Sequence, residues 1–162
     1  LDNKKEGSAY KIINGVIMGR LASACWFTNI DHGKRHEMMQ LDTMAHNLKF
    51  NKKLRRKLES SYGTTDYPKY DNYDAIEIPF TECIPSDYSG IMGVPITFLD
   101  RYCPEQFEII WQASGNAYAN APRDALEELK FDPTIKYGGG LGAPVINGSA
   151  TYARIMIRRK QT

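Results

Sequence analysis

The chain has 162 residues, 42% hydrophobic and 25% charged, which is the composition of one soluble globular domain able to bury a core and is unlike that of a disordered chain. The formal net charge of +2 excludes a uniformly basic or acidic protein, yet the charges are sorted along the chain. Residues 1–57 carry twelve Lys or Arg against five Asp or Glu, whereas residues 66–108 carry nine acids against Lys69 and Arg101. Such sorting reads either as ordinary solvated surface or as a basic face for a polyanion, whose phosphates release counterions when Lys and Arg neutralise them.

The chain opens on Leu1-Asp2 without an initiator methionine, which leaves open a processed form, an excised domain or part of something longer. Residues 1–11 are polar and expected to fray. Residues 22–30, with Trp26, Phe27, Thr28 and Ile30, read as a buried strand, and residues 31–36 as the loop that follows it. The apolar stretch 16–30 is interrupted by Gly19, Arg20, Ser23, Thr28 and Asn29, too short and too polar to span a bilayer. No membrane association is therefore expected. No charged, apolar and small-residue succession marks a secretory leader. Residues 38–44 are ambiguous. Residues 46–61 predict a helix free of Pro and Gly that stops at Gly63. Leu54 and Leu58 mark its buried stripe, with Lys49, Lys52, Lys53, Arg55, Arg56 and Lys57 spread around it in solvent.

Residues 62–74 form a loop rich in Tyr, Asp and Pro, and residues 75–78 a short strand. Residues 79–90 are irregular, with turn residues at Pro85-Ser86-Asp87. Residues 94–99 and 107–112 predict strands separated by a turn at Cys103-Pro104. Residues 122–130 predict a short helix opened by Pro122, with Ala125, Leu126 and Leu129 on its apolar side. Asn147-Gly148, between Val145-Ile146 and the alternating run 149–158, supplies the two positive-φ residues of a type I′ hairpin turn. In that run Thr151, Ala153, Ile155 and Ile157 fall on one side and Tyr152, Arg154, Met156 and Arg158 on the other. No internal repeat is present. One domain spanning 1–162, of α/β or α+β class, is expected.

Several residues invite a chemical role. His32 and His36, four apart beside Asp31 and Glu37, would share a helix face as metal ligands, but Gly33 weakens such a helix and the metalloprotease Glu is lacking, so they read as solvated loop histidines and no metal is assigned. Cys25, Cys83 and Cys103 are an odd, scattered set that forms neither a disulfide framework nor a metal knuckle; they read as buried thiols in a reducing cytosol. The segment Gly138-Gly139-Gly140-Leu141-Gly142 leads to a hairpin and not to a helix, and Gly15 and Gly19 precede a strand with no third glycine at fingerprint spacing; neither reads as a phosphate loop. The acids of the middle third raise a paired-carboxylate hydrolase, but sequence spacing pairs none of them, and capping, hairpin edges and solvation account for most.

Cys25-Trp26-Phe27-Thr28-Asn29-Ile30-Asp31-His32, followed by Lys34-Arg35-His36-Glu37, resembles a segment of the EcoRI-type adenine-specific DNA methyltransferases. Tyr67-Pro68-Lys69-Tyr70-Asp71-Asn72-Tyr73-Asp74, then Gly93-Val94-Pro95-Ile96-Thr97-Phe98-Leu99-Asp100, Pro104-Glu105-Gln106-Phe107 and Tyr152-Ala153-Arg154-Ile155 follow in that family's order. Residues 38–66 are less familiar and look like a family-variable insertion carrying the Lys/Arg helix. The resemblance implies a class I methyltransferase that transfers a methyl group from S-adenosylmethionine to N6 of adenine in double-stranded DNA, within a restriction-modification system in the cytoplasm. It also implies that residues 22–30 belong to the late part of a Rossmann-like sheet, followed by a mixed α+β extension. The family's Asn-Pro-Pro-Phe motif is absent; the nearest tetrapeptide, Asn120-Ala121-Pro122-Arg123, lacks the second proline and the aromatic. A cofactor glycine loop is absent too. Catalytic and cofactor-binding residues are therefore none in this chain. The resemblance places them in an N-terminal half that would be its partner, and predicts that the chain alone is inactive. The expected DNA contacts are Lys34, Arg35, Lys52, Lys53, Arg55 and Arg56, with Asn29 as a further polar contact. A non-enzymatic nucleic-acid-binding or protein-interaction domain is the alternative.

Overall fold

Four short runs rich in branched and aromatic residues build the central sheet, as such side chains favour a pleated, covered surface. The computed structural model describes residues 10–19, 30–135, 138 and 140–160. The chain divides into two compact units, Leu1–Asp31 and His32–Thr162. In the first, β1 (Tyr10–Ile13) and β2 (Val16–Gly19) form an antiparallel hairpin in which Ile13 faces Val16. Asn14 and Gly15 turn the corner at φ 51° and 78°, the positive angles that a type I′ turn needs. Tyr10 and Lys11, expected to fray, are thus in a strand. The strand expected over residues 22–30 lies outside the described residues except for Ile30, which is exposed.

The second unit opens with a 3-10 helix, Gly33–His36, where a loop is expected. Next come α1 (Met44–Phe50) and α2 (Lys52–Tyr62). The central sheet has the order β3 (Ala75–Glu77), β4 (Ile91–Val94), β8 (Arg154–Arg159), β5 (Phe107–Ala113). The first pair is parallel and the other two antiparallel, so the fold is mixed α/β. α3 (Arg123–Glu128) follows β5. A two-residue hairpin, β6 (Val145–Ile146) and β7 (Ser149–Ala150), turns through Asn147 and Gly148 at φ 51° and 70° as predicted. Among the described residues no helix is long and apolar enough to cross a membrane.

Both faces of the sheet are covered. On one side Leu54 and Leu58 of α2 pack with Ile76, Met92, Val94, Phe107, Ile155 and Ile157; on the other Ala75, Ile91, Trp111 and Met156 pack with Tyr73 and Leu129. Neighbouring residues of β8 enter opposite clusters, the period of two expected of a strand. Each fully buried Leu contributes about 1.5–3 kcal/mol. Gly93 of β4 has no side chain for a steric reason: a Cβ there would strike the Tyr70 hydroxyl.

Three sequence expectations are corrected. The helix of residues 46–61 is broken at Asn51, whose φ of −84° and ψ of 95° are not helical. The strand expected at residues 94–99 lies earlier, at Ile91–Val94, and Ile96–Arg101 is a 3-10 helix that follows Pro95. Finally, the run 149–158 is not one hairpin strand. β7 ends at Ala150, residues 151–153 are irregular, and β8 departs to lie between β4 and β5.

Candidate nucleic-acid interface

Asn51 makes the corner from which the basic helix projects. Its backbone N–H closes α1 on the Asn47 carbonyl at 3.0 Å, its side-chain oxygen accepts the Leu54 N–H at 2.9 Å to cap α2, and its amide donates to Cys83 Sγ at 3.2 Å. An N-cap Asn satisfies an orphan donor of the first helical turn. Gly63, left-handed at φ 64°, closes the far end by donating to the Glu59 and Leu58 carbonyls. Leu54 and Leu58 are sealed in the core, so the rotation of α2 is fixed and the remaining positions are fixed with it.

Lys52 and Arg56 lie opposite that buried stripe, with Arg55 on one shoulder and Lys53 and Lys57 on the other. Lys52, Arg55 and Arg56 are exposed, and none forms an ion pair with a described residue. Lys53 is engaged: its ammonium is 3.2 Å from Glu82 and 3.8 Å from the Phe80 ring centroid. Burial would raise the Glu82 pKa, but a backbone hydrogen bond and Lys53 outweigh it and hold the carboxyl below its ordinary value. Lys57 is half-buried, with its ammonium 5.9 Å from the Tyr62 ring centroid.

Lys34 and Arg35 lie on the Gly33–His36 turn. That turn is tied down by the Arg35 N–H donating to the His32 carbonyl at 2.9 Å and by His36 Nδ1 at 2.6 Å from Glu105. The Cys103 thiol, His36 and a backbone N–H together hold the Glu105 carboxyl below its usual range. Arg35 is half-buried, its guanidinium 6.0 Å from the Tyr102 ring centroid, whereas Lys34 is exposed. No described hydrogen bond, ion pair or ring contact joins this turn to α2. Asn29 lies outside the described residues.

His36 faces Glu105, and among the described residues no cluster of three or more His, Cys, Asp or Glu is placed to hold a metal ion. Cys83 and Cys103 are buried free thiols, and burial pushes the Cys83 thiol up to about 11. Leu141 and Gly142 turn into β6, a strand. Asn120 and Pro122 are exposed where a 3-10 turn gives way to α3.

A charge cluster that sequence reading missed lies in the sheet. Glu77 of β3 is fully buried and receives Arg154 of β8 through Nε, at 2.9 Å to Oε2, and through Nη2, at 2.6 Å to Oε1. The Tyr62 hydroxyl donates to Oε1 at 3.0 Å, and the Tyr70 hydroxyl donates to Oε2. Burial first, and then the Glu77 charge, push both phenols well above their ordinary value, so they stay protonated as donors. Burial works against the Arg154 charge, but the hydrogen bonds and charge of Glu77 outweigh it and hold the guanidinium above its ordinary value. The sequence signal was one opposite charge in each of two apolar runs, AIEI and ARIMI.

The type II methyltransferase M.MgeORF184P of Mycoplasma genitalium is 36% identical over 148 residues, covering 91% of this chain and 40% of that protein. M.EcoRI of Escherichia coli is 36% identical over 137 residues, covering 84% of this chain and 30% of that protein. M.MpnI of Mycoplasma pneumoniae is 29% identical over 160 residues, covering 98% and 40%. The chain thus spans 30–40% of the length of these curated relatives. No solved structure matches it. Residues 2–160 match the family described as the adenine-specific methyltransferase EcoRI, and the chain belongs to that family.

Proposed function

We propose that this chain is the C-terminal, DNA-contacting part of a type II adenine-specific DNA N6-methyltransferase acting in the cytoplasm within a restriction-modification system. Double-stranded DNA is the substrate, S-adenosylmethionine the methyl donor, and an N-terminal half of the same protein holds the donor and the Asn-Pro-Pro-Phe chemistry. The single observation that carries the DNA-contact role is the row Lys52, Arg55 and Arg56. These are three exposed cations with no acid partner among the described residues, set on a helix whose rotation is fixed by Leu54 and Leu58. Cations so placed neutralise phosphates at little cost in side-chain rearrangement, and phosphate contacts set the position of a protein on a duplex without reading its sequence. Lys34 and Arg35 form a second contact patch. Lys53 contributes less, since Glu82 already holds its ammonium. Asn29 completes the proposed set, and residues 38–66 are read as the family-variable segment that carries α2.

Two measurements test the reading. In a methyl-transfer assay on adenine-containing duplex DNA with labelled S-adenosylmethionine, the full-length protein transfers and this chain alone does not. The chain alone binds duplex DNA with an affinity that falls steeply with salt. Changing Lys34 and Arg35 together to Ala flattens that salt dependence. Methyl transfer by the isolated chain would put the chemistry in the wrong half, and an unaltered salt slope would remove Lys34 and Arg35 from the interface.

A further inference from the structure

A pocket of about 170 Å³ opens between the last turns of α2 and the β6–β7 hairpin, and its walls are unusual in charge. Lys57 and Arg154 contribute two cations, and Ser61, Ser149, Thr151 and Tyr152 contribute hydroxyls, while no carboxylate lines it. The larger cavity at the α1–α2 corner, about 490 Å³, differs in this respect because Asp42 and Glu82 form part of its wall. Arg154 is 8% exposed and held in place from behind. An arginine has five N–H donors, of which Nε and one Nη2 hydrogen go to Glu77 and one Nη1 hydrogen goes to the Ala153 carbonyl at 3.2 Å. One hydrogen on each terminal nitrogen is left over. Glu77 itself is fully buried and not part of the pocket wall.

The carbonyls that end α2 would repel an anion, but three near that end are occupied. Leu58 and Glu59 accept from the Gly63 N–H, Leu58 also from the Thr64 N–H at 3.4 Å, and Tyr62 accepts from the Asn147 side-chain amide at 3.0 Å. At the rim Tyr152 is 83% exposed, a flat amphipathic ring of the kind that stacks on nucleobases. Lys57 belongs to the same helix as the row Lys52, Arg55 and Arg56, on the shoulder away from Arg55.

We propose that this pocket is a phosphate subsite that takes one backbone phosphate of DNA, with Tyr152 against the neighbouring nucleotide. The assignment to DNA rests on the function proposed above, whereas the phosphate chemistry stands on the pocket alone. Lys57 supplies the mobile cation, Arg154 a preset pair of donors, and the Ser149 hydroxyl a further hydrogen bond, while the Thr151 hydroxyl already donates to the Tyr152 carbonyl at 3.2 Å.

The test uses the whole chain and avoids Arg154, whose loss would leave Glu77 buried and unpaired. Inorganic phosphate is titrated while backbone amide NMR shifts are followed, in wild type and in Lys57→Glu. Duplex DNA binding is then measured across salt for wild type, Lys57→Ala and Tyr152→Ala. Phosphate is expected to move the amides of Ser61 and Ser149 to Arg154 in wild type and not in Lys57→Glu. Lys57→Ala is expected to weaken DNA binding uniformly across sequences and lower the salt slope by about 0.9, and Tyr152→Ala to weaken binding without changing the slope. Amides that ignore phosphate, or a Lys57→Glu chain that binds phosphate as wild type does, overturn the site. If phosphate fills the pocket but Lys57→Ala leaves DNA binding intact, the assignment to the DNA backbone is overturned. If wild type binds phosphate and no DNA at all, the proposed function fails and the pocket is a site for free phosphate.

Discussion

The Arg154–Glu77 pair in the sheet and the row Lys52, Arg55 and Arg56 on α2 use the same kinds of charge under opposite conditions. Glu77 is sealed in the core and held twice over by Arg154, with two tyrosine hydroxyls filling its remaining acceptor positions. The α2 cations stand in water with no acid partner among the described residues. In the first place charge fixes how two strands meet. In the second it is left unspent, and unspent charge is available to a polyanion. A charged residue in this fold is thus read by what already neutralises it.

The largest effect falls on the sealed pair. Arg154→Met removes the guanidinium and strands Glu77 in the core, which should cost about 3–5 kcal/mol in urea denaturation. Arg154→Met combined with Glu77→Leu should recover at least half of that loss, because it removes the orphaned charge as well. A single substitution costing under about 1 kcal/mol would mean that water reaches Glu77, and the contrast with α2 would collapse. Leu58→Ala comes next at about 2–5 kcal/mol, since that side chain is fully buried and α2 has nowhere to settle.

The α2 row should behave in the reverse way. Lys52→Ala, Arg55→Ala and Arg56→Ala should each change stability by no more than about 0.5 kcal/mol and each lower the salt slope of duplex binding by about 0.9. Lys53→Ala should lower it by less, because Glu82 shares that ammonium. Equal losses at Lys53 and Arg56 would show that the ion pair does not withhold its charge. Thiol chemistry gives a check independent of DNA. With its thiol pushed up to about 11 by burial, Cys83 should resist alkylation in the native chain at pH 8, as peptide mapping by mass spectrometry would record.

What sequence alone revealed follows the range of the interactions. Asn147-Gly148 was readable because a type I′ turn is decided by two residues. Asn14-Gly15, flanked by Ile12-Ile13 and Val16-Ile17, carries the same signal, yet Gly15 was weighed only as a phosphate-loop glycine and the hairpin was missed. The break at Asn51 contains neither Pro nor Gly, but an Asn three residues before a buried Leu is itself a cap signature. At residues 94–99 Pro95 starts a 3-10 helix, and tertiary packing of Phe98 overrode an apolar run that resembled a strand. The basic residues of the proposed interface were readable by type and position. The Glu77–Arg154 pair, 77 residues apart, was not, and neither was a pocket assembled from α2 and a distant hairpin.

The smallest expected effect tests the comparison at its exposed limit. Lys130 lies 2.6 Å from Asp74, both largely in solvent, and its hydrogen bond and charge hold the Asp74 carboxyl below its ordinary value. A carboxyl whose folded pKa is depressed stabilises the fold above its unfolded value, about 3.9, and loses that contribution as pH falls through the lower folded value. The contribution is small because water screens both partners. Carbon-13 NMR titration of the Asp74 carboxyl should therefore show a midpoint below the ordinary aspartate value in wild type, moving up toward it in Lys130→Met, with barely any change in the denaturation midpoint at pH 7. A midpoint that stays low without Lys130 would mean that something other than this exposed pair neutralises Asp74. Exposed charges could then no longer be taken as unspent on the strength of their visible partners, and Lys52, Arg55 and Arg56 would need the same titration before being assigned to DNA.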